Sequence, residues 1–341
     1  MKQLFFPPEW YPQSAIQLTW PHEQTDWAAM LDEVVPCFVT IAREVLKREK
    51  LIVVCADAAT VRSQLGPVDN QRLVLAELPT NDTWARDHGG LSVFADGKPL
   101  LCEFTFNGWG LKFPANLDNQ ITRGLYQKGV FNQQVLLKSF KPFVLEGGSL
   151  ETDGKGTLLT TAQCLLSANR NDITDEAILE QSLKSFFGLK RVLWLHHGKL
   201  VGDDTDSHID TLARFCDAET IAYVAPGNPE DEQYEALVLM EKELRTFRTL
   251  QEKSYRLIAL PVADPVFHEG CRLPATYANF LILNGAVLAP VYDAPKDELA
   301  IKALQQAFPD REIIPVNCLP LIRQNGSLHC LTMQYPEGFV D

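Results

Sequence analysis

The chain has 341 residues, 46% hydrophobic and 22% charged, a composition that excludes disordered and fibrous classes and implies a soluble globular protein with a large core. Its 31 Lys and Arg stand against 44 Asp and Glu, a formal net charge of -13. A nucleic-acid backbone is therefore excluded as a natural partner, whereas a small cation is electrostatically welcome.

In chain order, Leu4-Phe5-Phe6-Pro7-Pro8 reaches a proline pair before any apolar run long enough for a secretory signal, and no later stretch of roughly 18 apolar residues predicts a membrane span. The expected compartment is the cytoplasm. After an irregular segment from Pro7 to His22, Thr25 is placed to cap a helix with apolar positions Leu31, Val34, Phe38, Ile41 and Val45, which Pro36 should bend. The strand Leu51-Ile52-Val53-Val54-Cys55 follows, and this helix-then-strand order recurs. Helices near 115–128, 175–187, 231–247 and 296–308 lead to strands near 135–137, 191–195, 255–260 and 311–316. Short strands near 91–94, 100–106, 157–161, 220–224 and 286–291 lie between these units. Each module thus reads as two strands, a helix and a strand, and the pattern predicts one α/β domain of five modules over residues 1–341. A doubly wound parallel sheet is the alternative, although no Gly-x-Gly-x-x-Gly turn follows any of the strands.

The eight cysteines lie far apart, with no Cys-x-x-Cys pair, so neither a disulfide framework nor a structural zinc site is expected. Four clusters carry the chemistry: Asn81-Asp82-Thr83-Trp84-Ala85-Arg86-Asp87-His88-Gly89-Gly90, Phe143-Val144-Leu145-Glu146-Gly147-Gly148-Ser149, Gly202-Asp203-Asp204-Thr205-Asp206-Ser207-His208-Ile209-Asp210, and Asn325-Gly326-Ser327-Leu328-His329-Cys330. In an extended strand His208 and Asp210 would point to one face. A base, an anion and a thiol nucleophile are then available for covalent chemistry on a cationic carbon.

Each cluster also has a plainer reading. Arg86 and Asp87 would be a structural pair beside a core Trp84; Glu146 would be a solvated residue of a tight hairpin; Asp204 and Asp206 would cap a helix or close an Asx turn. His208 alone reads as a satisfied buried histidine and Cys330 as one buried thiol of eight. A calcium loop counted from Asp204 fails, because its third ligand falls on His208, its obligatory glycine on Ile209 and its closing glutamate on Phe215.

Together the clusters, with Gly156-Thr157-Leu158-Leu159-Thr160-Thr161 and Asn169-Arg170-Asn171 between them, resemble the agmatine deiminase and bacterial-type peptidylarginine deiminase family of the guanidine-modifying superfamily over nearly the whole chain. The resemblance implies a five-bladed, pseudo-fivefold α/β propeller with its site at the centre. It implies Cys330 as nucleophile, His208 as acid and base, Asp87 and Asp210 as guanidinium-binding carboxylates, and Glu146 as a further carboxylate there. The implied substrate is a small cationic guanidino compound, with agmatine first, arginine or peptidyl-arginine next, and an amidinotransferase or a non-catalytic binding protein as further alternatives. No metal or organic cofactor is implied, and a homo-oligomer stays open. Trp84 is placed to cover the alkyl chain, and Asp204 or Asp206 to line the far end. The chain departs from common family wording in Asp87-His88-Gly89-Gly90 for Asp-Thr-Gly-Pro, Asp206-Ser207-His208 for Asp-Gly-His, and Gly326-Ser327-Leu328-His329-Cys330 for Gly-Asn-Ile-His-Cys.

The physical chemistry of these assignments is coherent. A guanidinium carbon is a poor electrophile, its charge being shared by three nitrogens, so a thiolate is needed where water is too weak. Carboxylates hold the planar fork in line, and His208 needs a pKa near neutrality to serve both steps. A thiol among carboxylates should have a raised pKa that a bound guanidinium lowers.

Overall fold

The computed structural model describes residues 3–341. Five sheets of three or four strands share one construction, in which an antiparallel pair of strands is followed by a parallel neighbour. One holds Leu91–Ala95, Lys98–Thr105 and Leu136–Val144. The next holds Glu151–Thr152, Thr157–Thr161 and Arg191–Leu195; a third holds Ala213–Asp217, Thr220–Val224 and Arg256–Leu260. A fourth joins Leu281–Leu283, Ala286–Val291 and Glu312–Asn317. The last pairs Thr332–Pro336 with Gln13–Thr19, then adds Lys50–Cys55 and Leu73–Glu77 in parallel, so both ends of the chain share a sheet. Leu4–Phe5 edges the first sheet, and Val266–His268 with Cys271–Leu273 forms a separate hairpin.

A parallel step needs a crossover, and a helix supplies it each time: Ile121–Gln127, Glu176–Phe187, Tyr234–Thr246 and Asp297–Ala307 in four sheets, and Leu31–Leu46 then Ala58–Leu65 for the two parallel steps of the last. Among the described residues no sheet exceeds four strands, which overturns the doubly wound alternative. Every residue of Thr157–Thr161 and of Thr220–Val224 is buried, as expected of strands covered on both faces.

Local chemistry explains most boundaries. Val34, Phe38, Ile41 and Val45 are wholly buried along one face of Leu31–Leu46, and the helix runs through Pro36 unbroken. Thr25 caps nothing: its hydroxyl closes a turn on His22, and a 3-10 turn at Ala28–Met30 separates it from the helix. Asp175 caps Glu176–Phe187 by accepting the N–H groups of Ala177 and Ile178, and Gly188 ends that helix at φ +70°. The helix expected near 115–128 is shorter, because Asn81 and Asn119 side chains bind the backbone around Ala115–Asp118 and delay the α-helix to Ile121. Among the described residues no helix is long and apolar enough to cross a membrane.

A short turn precedes the first strand of each sheet. Four are helical, at Ala85–His88, Gly147–Ser149, Ile209–Thr211 and His329–Leu331, and the fifth is the turn at residues 276–279. All the chemistry-bearing clusters fall on these turns.

Candidate active site

Asp87, on the Ala85–His88 turn, accepts the backbone N–H of Gly148 at 2.9 Å on Oδ1 and the indole N–H of Trp109 at 2.9 Å on Oδ2. Glu146 is wholly buried, which corrects the solvated-hairpin reading. Its Oε2 accepts from Arg170 Nε at 2.9 Å and meets His208 Nε2 at 3.0 Å. His208 and Asp210 sit at a 3-10 turn rather than in a strand. Asp210 Oδ2 meets His329 Nδ1 at 2.8 Å and lies 3.8 Å from the Cys330 thiol. The fifth turn brings Asn279, whose amide N–H reaches Cys330 Sγ at 3.3 Å and whose carbonyl accepts the N–H groups of His329 and Cys330 at 2.8 and 3.3 Å.

These groups converge on one glycine. A Cβ built on Gly148 would lie 2.5 Å from His208 Nδ1, 2.8 Å from Asp87 Oδ1 and 3.2 Å from Asp210 Oδ2, so only glycine lets the imidazole and both carboxylates close in. His208 Nδ1, Asp210 Oδ1 and Glu146 Oε1 are buried without a hydrogen-bond partner. Unsatisfied buried carboxylate oxygens are costly, and a planar cation with several N–H groups satisfies them.

The electrostatics follow from burial and sign. Burial, then the Asp210 and Asp87 carboxylates, push the Cys330 thiol well above its ordinary range. Burial raises Asp87 to about 6 against the pull of His208. Burial alone would lower His208, but Asp87 and its other neighbours outweigh that and hold it well above an ordinary histidine, not near neutrality. Glu146 and Asp210 stay below the usual carboxylate range despite burial, held by His208 and Arg170 in one case and by His329 in the other.

A cleft of about 70 Å³ leads to Cys330, walled by Trp84, Trp109 and Phe113, with Asp26, Asp82 and Asp204 also lining it. Burial raises Asp82 to about 7 and Asp204 to about 6. Trp84 is tied to Asp82 by its indole N–H at 3.0 Å, and its ring lies against Gly326, where a Cβ would be 2.2 Å away. Asp206 is not among the lining residues; its carboxylate is taken by Arg170 at 2.7 Å and Lys112 at 2.8 Å. Trp109 belongs to a left-handed turn, with φ of +65°, +55°, +86° and +70° at Gly108, Trp109, Gly110 and Leu111. Such a turn costs roughly 1–2 kcal/mol for each residue with a Cβ, and here it aims the indole at Asp87.

Two buried clusters have metal-ligand atoms in reach of one another, Glu146 with Cys164 and His208, and Glu9 with Glu151 and His329. Each already holds a guanidinium where a metal ion's charge would go, Arg170 on Glu146 and Arg214 on both Glu9 and Glu151. The donor sets therefore suit these ion pairs better than a metal.

Comparison with known proteins decides the family: the sequence profile of the Porphyromonas-type peptidyl-arginine deiminases matches residues 5–336. The chain belongs to that family. An agmatine deiminase of Pseudomonas syringae pv. tomato is 31% identical over 98% of this chain and 95% of its own length. A crystal structure from Porphyromonas gingivalis, described as a candidate arginine deiminase, is 55% identical with a TM-score of 0.96, covering 99% of this chain and all of that one. The agmatine deiminase of C. jejuni, solved with substrate bound and one cysteine replaced by serine, is 36% identical with a TM-score of 0.92, covering 99% of this chain and 97% of that one.

In this peptidyl-arginine deiminase relative, the structure brings Cys330, His208, Asp87, Glu146 and Asp210 into one buried cluster, puts Trp84 and Asp204 on its cleft and leaves Asp206 outside. Sequence reasoning gave no role to Trp109, Asn279, Arg170 or His329. Arg170 and His329 stood inside quoted motifs; Trp109 was marked only by its two flanking glycines, and Asn279 only by its place before a strand. Ser207, where family wording has glycine, takes a left-handed φ of +67°.

Proposed function

We propose that this chain is an agmatine deiminase, converting agmatine and water to N-carbamoylputrescine and ammonia. The observation that carries the reading is a buried thiol among three carboxylates and an imidazole, at the end of a cleft that stays acidic to its mouth. Among the described residues lining that cleft none is Lys or Arg, so the α-carboxylate of arginine finds no cation, whereas the free amine of agmatine meets Asp82 and Asp204. Asp206 is the less suitable partner, being already paired.

In this reading Asp87 and Asp210 hold the guanidinium in line for Cys330. Binding a cation beside the thiol offsets the carboxylates and favours the thiolate. Sγ attacks the guanidinium carbon, the C–N bond breaks, and ammonia leaves with a proton from His208. Water then attacks the amidino-thioether, returning a proton to His208, and the C–S bond breaks to release the ureido product. Glu146, between Arg170 and His208, keeps the imidazole charged for the first step.

The five equivalent sheets, each led by a turn that contributes to one site, support a five-bladed arrangement around that site and a single domain over the chain. All eight cysteines are free, which fits a reducing compartment such as the cytoplasm. The test is a panel assay for ureido product on agmatine, free arginine and an acylated arginine ester, with Cys330→Ala as control. Agmatine should give the highest kcat/KM and Cys330→Ala none. Preference for arginine, the substrate named for the P. gingivalis relative, would overturn the substrate assignment, and activity in Cys330→Ala would overturn the mechanism.

A further inference from the structure

We propose that His329, backed by Glu9, is the positioning residue that fixes Asp210 on the guanidinium; the inference rests on the deiminase reading. Three buried side chains stand in line: Asp210 Oδ2 to His329 Nδ1 at 2.8 Å, then His329 Nε2 to Glu9 Oε2 at 2.7 Å. Glu9 is itself anchored, accepting from Arg214 at 2.6 Å and from the backbone N–H of Ile282 at 2.7 Å. Arg214 is wholly buried, bound to Glu151 and to the carbonyl of Phe280 at 2.8 Å. A residue from the N-terminal segment thus reaches, through one imidazole, the carboxylate beside Cys330.

The consequence for Asp210 is geometric. With Oδ2 held from behind, Oδ1 is the oxygen left to a ligand, and it is buried and unpartnered. The imidazole also divides two compartments. Behind it lies a cavity of about 30 Å³, lined by Glu9, His329, Arg86, Ser92 and Gln13, with room for about two water molecules. Arg86 Nη2, Ser92 Oγ and Gln13 Oε1 have no protein partner, which marks the cavity as polar. The His329 ring stands between this cavity and Asp210, so it both aims the carboxylate and keeps it from being solvated from the rear.

The two ring nitrogens can be tested separately, because an asparagine amide nitrogen superimposes on Nδ1 and a glutamine amide nitrogen on Nε2. His329→Asn keeps the donor to Asp210 and loses Glu9; His329→Gln does the reverse. The measurements are kcat/KM on agmatine, the Kd of agmatine in a Cys330→Ser background, and Tm for each variant. We expect His329→Gln to lose about 10- to 100-fold in kcat/KM and to weaken Kd, with His329→Asn within about fivefold of wild type and equal Tm changes in the two. Equal activities in the two variants, or the reverse order, would overturn the inference while leaving the deiminase reading intact. Absence of turnover in the wild type would refute that reading and this inference with it. Should His329→Gln not fold, His329→Ala carries the same expectation, and retention or loss in both Ala and Asn variants overturns the proposal.

Discussion

Gly148→Ala is the sharpest test of how closely the reactive groups must approach. The backbone at Gly148 is not left-handed, so alanine brings no conformational penalty, and the only cost is the added methyl. That methyl would sit 2.5 Å from His208 Nδ1 and 2.8 Å from Asp87 Oδ1, where ordinary contact begins at 3.4 Å. The imidazole must therefore retreat by about 0.9 Å and the carboxylate by about 0.6 Å, a displacement of the size that costs roughly 100-fold in rate. Global stability should fall by about 1–3 kcal/mol for overpacking, a few degrees in Tm. Steady-state kinetics for ureido formation from agmatine, with a thermal melt, separates the two effects. A folded Gly148→Ala protein within about threefold of wild-type kcat/KM would show that His208, Asp87 and Asp210 need not converge on this point, and would refute the proposed site geometry.

Trp109→Phe removes an N–H donor from a buried carboxylate, worth about 1.5–3 kcal/mol for a bond to a charged group, so kcat/KM should fall about 10- to 100-fold; an unchanged value would make the left-handed turn merely structural. Asp87 is raised to about 6 by burial and must be ionised to hold a cation, so protonation as pH falls through 6 should remove activity, tenfold per unit in kcat/KM, and a flat profile down to pH 5 in folded enzyme would exclude it. The Cys330 thiol is pushed up by burial and two carboxylates, so its ultraviolet thiolate absorbance should titrate at lower pH with a guanidinium ligand bound; identical curves would exclude substrate-assisted ionisation. Asp204→Asn should raise the KM for agmatine about fivefold and leave kcat nearly unchanged, whereas a fall in kcat alone would remove it from the amine subsite.

The modular architecture was legible because the crossover helices carry a 3.6-residue apolar period and each is followed by a strand that contains a short apolar run. Glu176–Phe187 with Arg191–Leu195, and Asp297–Ala307 with Glu312–Asn317, fall within a residue or so of their predicted places. The failures share a different cause. Thr25, whose hydroxyl bonds the backbone of His22, and the segment before Ile121, whose backbone is bound by the Asn81 and Asn119 side chains, are governed by side-chain hydrogen bonds that leave no periodic trace in the sequence. Glu146 looks solvated to any reading that sees only a carboxylate beside two glycines, because its partners Arg170 and His208 lie 24 and 62 positions away.

The same distinction explains which site residues were hidden. Cys330, His208 and Asp87 are recognisable by their own chemistry, whereas Asn279 and Trp109 matter only through what they touch. Their signal lies in the repeat. If each sheet is entered through a turn that faces a shared centre, the residue at that turn becomes a candidate whatever its type, and the turn before Leu281–Leu283 points to Asn279. A repeated module therefore predicts the location of site residues even where residue type does not. Side chains gathered from five turns, held by Gly148, Asn279 and His329 rather than by any one strand, also account for a buried cluster of like charges that no single segment would stabilise alone.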